Sequence, residues 1–267
     1  MSLKLIFVHG VNHQSTNYSG KLFDRIMKVC HMNLTARGLE SDEIRTLLNQ
    51  VTRHEVLWAD LTADLTNRYC QLQYHKHPLL WGIFTKNIDP LAMQIMRYIK
   101  DKGDKEKGQM NILREIDSDI ERIFTQTHIG NQSPNNSKDT IFIAHSLGSV
   151  IAFDYIFCFR DRCRLDQNVN VQAFITMGSP ISLFTSAMGY PDSELTLPPN
   201  VQKWVNIISP RDCIARYAKP HFKNIPIIEK EVHTSFFPMA AHCHYWKSSQ
   251  TAAIIAQEVI EALNLFN

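Results

Sequence analysis

Thr140-Ile-Phe-Ile-Ala-His-Ser-Leu-Gly148 carries the reading on which the fold turns. An apolar run over 140–144 predicts a strand, and the apolar stretch from Gly148 to Cys158 predicts a helix that starts almost without an intervening loop. Ser146 sits on the turn between them, with Ala144 two residues before it and Gly148 two residues after. Small residues are required at those two places when a serine occupies a strained strand-to-helix turn, because neighbouring chain segments approach closely there. The G-x-S-x-G pattern is thus met with alanine in place of its first glycine. A tight turn of no chemical consequence is the plain alternative, since S-x-G alone is common.

Working outward, strand-length apolar runs recur at Leu5-Ile-Phe-Val8, Glu55-Val-Leu-Trp58, Val171-Gln-Ala-Phe-Ile-Thr-Met177, Trp204-Val-Asn-Ile-Ile208 and Lys230-Glu-Val-His233. Helical patterns fall at 19–35, 109–127, 148–158 and 249–265. In the second of these, Ile112, Leu113, Ile116, Ile120, Ile123 and Phe124 form one stripe at three- and four-residue spacing, as a core-facing helix requires. Near-continuous apolar strands separated by helices indicate a mostly parallel sheet covered on both faces, a doubly wound α/β fold. The expected organisation is a single domain over 1–267, with the polar stretch Asn131-Gln-Ser-Pro-Asn-Asn-Ser-Lys138 as a surface loop.

Residues 60–108 differ from this pattern. They combine Tyr69, Tyr74, His75, His77, Trp81, Phe84, Met93, Met96 and Tyr98 with the charged run Lys100-Asp-Lys-Gly-Asp-Lys-Glu-Lys107. A helical cap or lid inserted over the sheet is expected, its aromatic and methionine side chains serving as ordinary core or lining an acyl pocket.

Composition narrows the partners. The chain has 267 residues, 44% hydrophobic, with Lys and Arg exceeding Asp and Glu by 28 to 26. So small a net charge, with both signs interspersed, gives no reason to expect nucleic acid. Six cysteines in a chain this long are too sparse for a disulfide-stapled scaffold, and none are spaced as C-x-x-C. No stretch approaches the length of a transmembrane span, and the apolar run at Leu5–Val8 is too short for a signal-peptide core. A cytoplasmic location is the expectation, with secretion by a signal of another kind left open.

A serine hydroxyl is a weak nucleophile and needs a base, held in turn by a third group. The order along the chain should be serine, acid, histidine. Asp212 follows the strand 204–208 at the carboxyl end of the sheet, where ligands bind in open α/β folds. Asp192 is the rival acid, reached through a longer loop. His242 and His244 both follow the last strand, with His233 a more distant candidate, and composition does not choose between the first two. An H-x-H pair can bind metal, but no cysteine or carboxylate stands at a familiar ligand spacing, so no metal is expected. Phe7-Val-His-Gly-Val11 supplies the remaining part: Gly10 permits a sharp exit from the first strand, so that the Val11 N–H, together with the Leu147 N–H, can serve as an oxyanion hole.

With these pieces assembled, the chain resembles the α/β-hydrolase superfamily, in particular its lipase- and esterase-like serine hydrolases. The resemblance rests on Phe7-Val-His-Gly10, Val56-Leu-Trp-Ala-Asp60, Ala144-His-Ser-Leu-Gly148, Met177-Gly-Ser-Pro-Ile181, Trp204-Val-Asn206 with Asp212, and Ala241-His242 with Tyr245-Trp246. Similar hydrolases carry Ala-His-x-x-Tyr-Trp with the base as its histidine, which implies His242 and leaves His244 as the alternative base. The resemblance implies an acyl-enzyme mechanism on a carboxylic ester that needs no cofactor, with Ser146, Asp212 and His242 as the catalytic set and a small-molecule or lipid ester as substrate. It also implies a sheet trimmed at its N-terminus. A phospholipase or thioesterase, with residues 60–108 as an interfacial lid making transient contact with a membrane surface, is the alternative. So is a non-catalytic binding protein that retains the fold.

Overall fold

The computed structural model describes residues 2–10, 16–58, 118–120, 122–123, 138–158, 169–187 and 195–264. The 60–108 segment, Val11, Asp192 and most of the helix expected over 109–127 lie outside them. Residues 118–120 and 122–123 of that helix are described and are helical, and Ile120 and Ile123 are buried, as the stripe requires.

Among the described residues, six strands form one sheet: β1 (Leu3–Val8), β2 (Val51–Val56), β3 (Lys138–His145), β4 (Val169–Met177), β5 (Trp204–Ile208) and β6 (Ile227–Glu231). Their order is β2-β1-β3-β4-β5-β6 and every pairing is parallel. Helices α1 (Gly20–Ala36), α2 (Ser41–Leu48) and α6 (Ser249–Asn264) cover one face. On the other lies α3 (Leu147–Phe153), prolonged by a π-helical turn to Cys158. Two short helices, α4 (Ile181–Ala187) and α5 (Pro238–Cys243), follow β4 and β6.

The alternation of side chains divides the core. In β1, Leu3, Leu5 and Phe7 face α1 and α6, whereas Ile6 and Val8 face α3. All six residues of β1 are buried, which is why the strand reads as one apolar run. In β4 the alternation slips: Val171 pairs with Thr140 but Ala173 pairs with Ile141, so Gln172 is an extra residue in a bulge. Its amide, with that of Asn170, donates to the Asp139 carboxylate, each at 2.7 Å.

The outermost strands depart from expectation. β2 lies over 51–56 and not 55–58, and β6 over 227–231 and not 230–233. Both are edge strands with half-exposed polar residues, Thr52-Arg-His-Glu55 and Glu229-Lys-Glu231, whereas the apolar residues that drew the expectation, Trp58 and Val232, are buried just beyond the strand ends. Helices α2, α4 and α5 carry too few residues for a helical period to register in sequence.

The order of strands fixes where a site can form. From β1 the chain passes to β2 on one side and then returns to β3 on the other, so the loops leaving β1 and β3 diverge from adjacent strand ends. Such a switch point leaves a crevice at the carboxyl edge. Here the two exits also touch: a Cβ at Gly148 would lie 2.0 Å from the His9 carbonyl oxygen, and one at Gly10 would lie 2.7 Å from Cβ of Ser146. The return of the β1 loop is pinned as well. Glu55 accepts from the backbone N–H of Asn17 and Ser19, and the Tyr18 hydroxyl donates to the Phe7 carbonyl at 2.6 Å.

Replacing Gly148 by alanine sets a methyl against an immovable carbonyl, and the expected cost is about 3 kcal/mol or more. Gly38 has φ +86° with open space around it, so Gly38→Ala costs about 1 kcal/mol, the left-handed backbone alone. Urea unfolding of the two variants checks the contrast; equal midpoints would contradict the close approach.

Candidate active site

Ser146 has φ 54° and ψ −131°, a conformation that a residue with a side chain adopts only when its surroundings impose it. Two hydrogen bonds impose it here. The Ser146 N–H donates to the Met177 carbonyl at the end of β4, and its carbonyl accepts from the N–H of Ser149. The turn aims the Ser146 side chain out of the sheet edge while leaving it 2% exposed. Leu147 begins α3, and the N–H groups of a first helical turn have no intrahelical partner. Leu147, expected as one oxyanion donor, thus stands at the first turn of α3, whereas its expected companion Val11 lies outside the described residues.

Asp212 reaches the site through a turn after β5. Its N–H donates to the Ser209 carbonyl, and its own Oδ1 accepts from the N–H of Ile214 at 2.8 Å and of Ala215 at 3.1 Å, an arrangement for which aspartate is suited. His242 arrives in the last turn of α5, a helix begun by Pro238, with Ala241 fully buried beneath it.

The three side chains meet. His242 Nδ1 lies 2.9 Å from Asp212 Oδ2 and 3.1 Å from Oδ1, and His242 Nε2 lies 2.8 Å from Ser146 Oγ. An ionised Asp212 can only accept, so Nδ1 carries the hydrogen and Nε2 offers its lone pair to the Ser146 hydroxyl. Burial pushes the Asp212 carboxyl up. The hydrogen bond and charge of His242, with the N–H groups of Ile214 and Ala215, outweigh that and hold it below 3.8. The carboxylate is accordingly ionised wherever the base could act.

The rival bases stand elsewhere. The His244 ring lies 3.4 Å from the Thr234 carbonyl through Nδ1, and the described contact of His233 is its N–H donating to Gln250. Among the described residues no cluster of three or more His, Cys, Asp or Glu could hold a metal ion. Cys213 and Cys243 adjoin Asp212 and His242 in sequence and are exposed. Partial desolvation of the sulfur, on a residue otherwise open to solvent, and the Asp212 charge push the Cys243 thiol up, so it is not an activated nucleophile.

Four residues contribute without having been singled out for a role. Tyr245 donates to Asp212 Oδ2 at 2.9 Å. Gly178, at φ 58°, leaves room for the group: a Cβ there would lie 2.7 Å from Cε2 of Tyr245 and 3.0 Å from Asp212 Oδ2. Ser149 bonds the Ser146 carbonyl and lies 2.7 Å from the Ser179 hydroxyl. His145, packed against the rings of His242, Tyr245 and Trp246, donates through Nε2 to the His242 carbonyl at 2.8 Å and so ties α5 to the turn that bears Ser146. Position inside quoted motifs was the signal for Gly178, His145 and Tyr245. Nothing in the sequence marks Ser149.

Burial, with the nearby His242, brings the His145 imidazole down to about 3. Its folded value therefore lies below the unfolded one of 6.5, the unfolded chain binds the extra proton, and this contribution to stability is complete above pH 6.5 and is lost as pH falls. Between pH 7 and pH 5 the loss is on the order of 2 kcal/mol. His145→Gln, which keeps a donor but no basic nitrogen, is expected to flatten that part of the profile. Urea unfolding at the two pH values measures it, and an unchanged slope would contradict the assignment.

No protein-family model matches the chain, and no curated protein matches it in sequence. Among solved structures, the crystal structure of ClbQ from the colibactin NRPS/PKS pathway aligns over 100% of both chains, with 9% sequence identity and a TM-score of 0.44. A likeness that loose carries no argument about chemistry. The functional reading rests on the geometry of the site.

Proposed function

We propose that the protein is a serine hydrolase that cleaves a carboxylic ester through an acyl-enzyme. The observation that carries this reading is the His242 imidazole bridging two partners, Ser146 Oγ on one nitrogen and the Asp212 carboxylate on the other. That relay is what turns a hydroxyl into a nucleophile. His242 takes the Ser146 proton as Oγ attacks the ester carbonyl. Asp212 stabilises the imidazolium, and the Leu147 N–H at the start of α3 is the donor proposed for the developing oxyanion; Val11, its expected companion, lies outside the described residues. His242 then protonates the leaving alcohol, and water, deprotonated by His242, releases the acid and restores Ser146.

The strained Ser146 backbone supports the reading independently. Strain of about 1 to 3 kcal/mol persists where the surroundings over-determine it, commonly at functional sites. It also weighs against a binding protein that merely keeps the fold, since nothing in such a role requires a buried serine at positive φ.

A lipid ester is the second reading, favoured by one feature. Phe236 and Phe237, immediately before α5, are 72% and 70% exposed, and Met239 at its start is 44% exposed. These apolar side chains stand on the segment that delivers His242, where they could meet an acyl chain or an interface. Among the described residues no helix is long and apolar enough to cross a membrane.

A fluorophosphonate probe is expected to label the wild type and not Ser146→Ala. Ser146→Ala and His242→Gln should each lose about a thousandfold or more in hydrolysis of 4-nitrophenyl esters. His244→Gln should stay within about threefold of wild type, since a residue outside the relay contributes no transition-state stabilisation. Labelling that survives Ser146→Ala, or a His244→Gln variant as impaired as His242→Gln, would overturn the assignment. Comparing soluble with micellar esters of the same acid separates the two readings of the substrate.

A further inference from the structure

Tyr245 belongs to the short 3-10 turn His244–Lys247 that continues α5, and its side chain is fully buried. Its hydroxyl accepts from the Ser209 N–H at 2.8 Å. Since the amide can only donate, the hydroxyl proton is left for Asp212 Oδ2, 2.9 Å away. That oxygen is also the nearer partner of His242 Nδ1. The two carboxylate oxygens are served differently: Oδ1 receives two backbone N–H groups and lies 3.1 Å from His242 Nδ1, while Oδ2 takes the Tyr245 hydroxyl and stands nearer to Nδ1, at 2.9 Å. The bare backbone of Gly178 lies against the Tyr245 ring edge, so the ring has one place to stand.

We propose that Tyr245 is a positioning residue for the base: by donating to the carboxylate oxygen that His242 uses, it holds that oxygen in line with Nδ1 and weakens the pull of Asp212 on the imidazole proton. The proposal rests on the hydrolase reading for its catalytic meaning, though its hydrogen bonding stands apart from it. The physical basis is that a carboxylate oxygen with a second donor has less electron density to offer the first. Burial and the Asp212 charge push the Tyr245 hydroxyl well above its ordinary range, so it keeps its proton and can donate it to Asp212. A base must release its proton to the leaving group as well as accept one from Ser146, and a carboxylate that gripped the imidazolium too hard would slow that release.

The test compares the intact protein with Tyr245→Phe and with Tyr245→fluorotyrosine, whose hydroxyl is a stronger donor. The proton resonance of His242 Nδ1–H is expected to move downfield in the phenylalanine variant and upfield in the fluorotyrosine variant. The acid limb of fluorophosphonate labelling should shift in step, up by about half a pH unit and down by a smaller amount respectively. The fluorotyrosine chain differs from wild type by one small atom, which keeps the test independent of how well the phenylalanine variant folds. A resonance and an acid limb unmoved in a folded variant would overturn the role of Tyr245 while labelled wild type left the hydrolase reading standing. A resonance that moves as expected in a protein that no probe labels would uphold the hydrogen-bond role and sink the hydrolase reading.

Discussion

The loop leaving β1 crosses the turn between β3 and α3 with no room for a side chain at Gly148, where a Cβ would come within 2.0 Å of the His9 carbonyl oxygen. This contact between two backbones is the constraint on which the site depends. It sets the exit of β1, at His9 and Gly10, against the turn that bears Ser146 and the start of α3. Beside this contact Ser146 stands at positive φ. The adjoining strand holds that turn through the bond from the Ser146 N–H to Met177. The strain is small beside the burial of β1, β3 and β4, whose apolar residues are almost wholly excluded from solvent.

A second constraint is electrostatic. A carboxylate as buried as that of Asp212 is costly unless its lone pairs are met. Among the described residues, two backbone N–H groups, a tyrosine hydroxyl and the His242 imidazole meet them. These four donors come from three pieces of chain: the aspartate-nucleated turn after β5 supplies both N–H groups, the turn after α5 supplies Tyr245, and α5 supplies His242. The carboxylate thereby draws the loop after β5 and the segment after β6 together at one end of the sheet. His145 adds a neutral strut from the turn that bears Ser146 to the backbone of His242. The arrangement holds the imidazole by both of its nitrogens.

How much of this was legible in sequence depends on how local the cause was. Strands β1, β3, β4 and β5 read as apolar runs because they are buried on both faces, and the strand–Ser146–helix pattern survives the change of its first glycine to Ala144 because both residues are small. The edge strands β2 and β6 were displaced because their polar, half-exposed residues carry little hydrophobic signal. Asp212 followed from its position at a strand end. The choice of His242 over His244 came from resemblance, and its physical cause is visible only in the fold: α5 is one and a half turns long, and the residue two positions on faces Thr234. Tyr245 lay in a quoted motif, yet its partners Ser209 and Asp212 are 36 and 33 residues away, beyond any spacing rule.

The central claim is that Ser146 forms a covalent bond with the acyl group of a substrate. Acid quenching during turnover of a 4-nitrophenyl ester, followed by mass spectrometry of proteolytic fragments, tests it directly. The account predicts a peptide containing Ser146 heavier by the acyl group, with the modification on the serine itself and absent from His242→Gln. Turnover with no acylated peptide, or acyl groups found on Cys213, Cys243 or a lysine while Ser146 stays free, would contradict it.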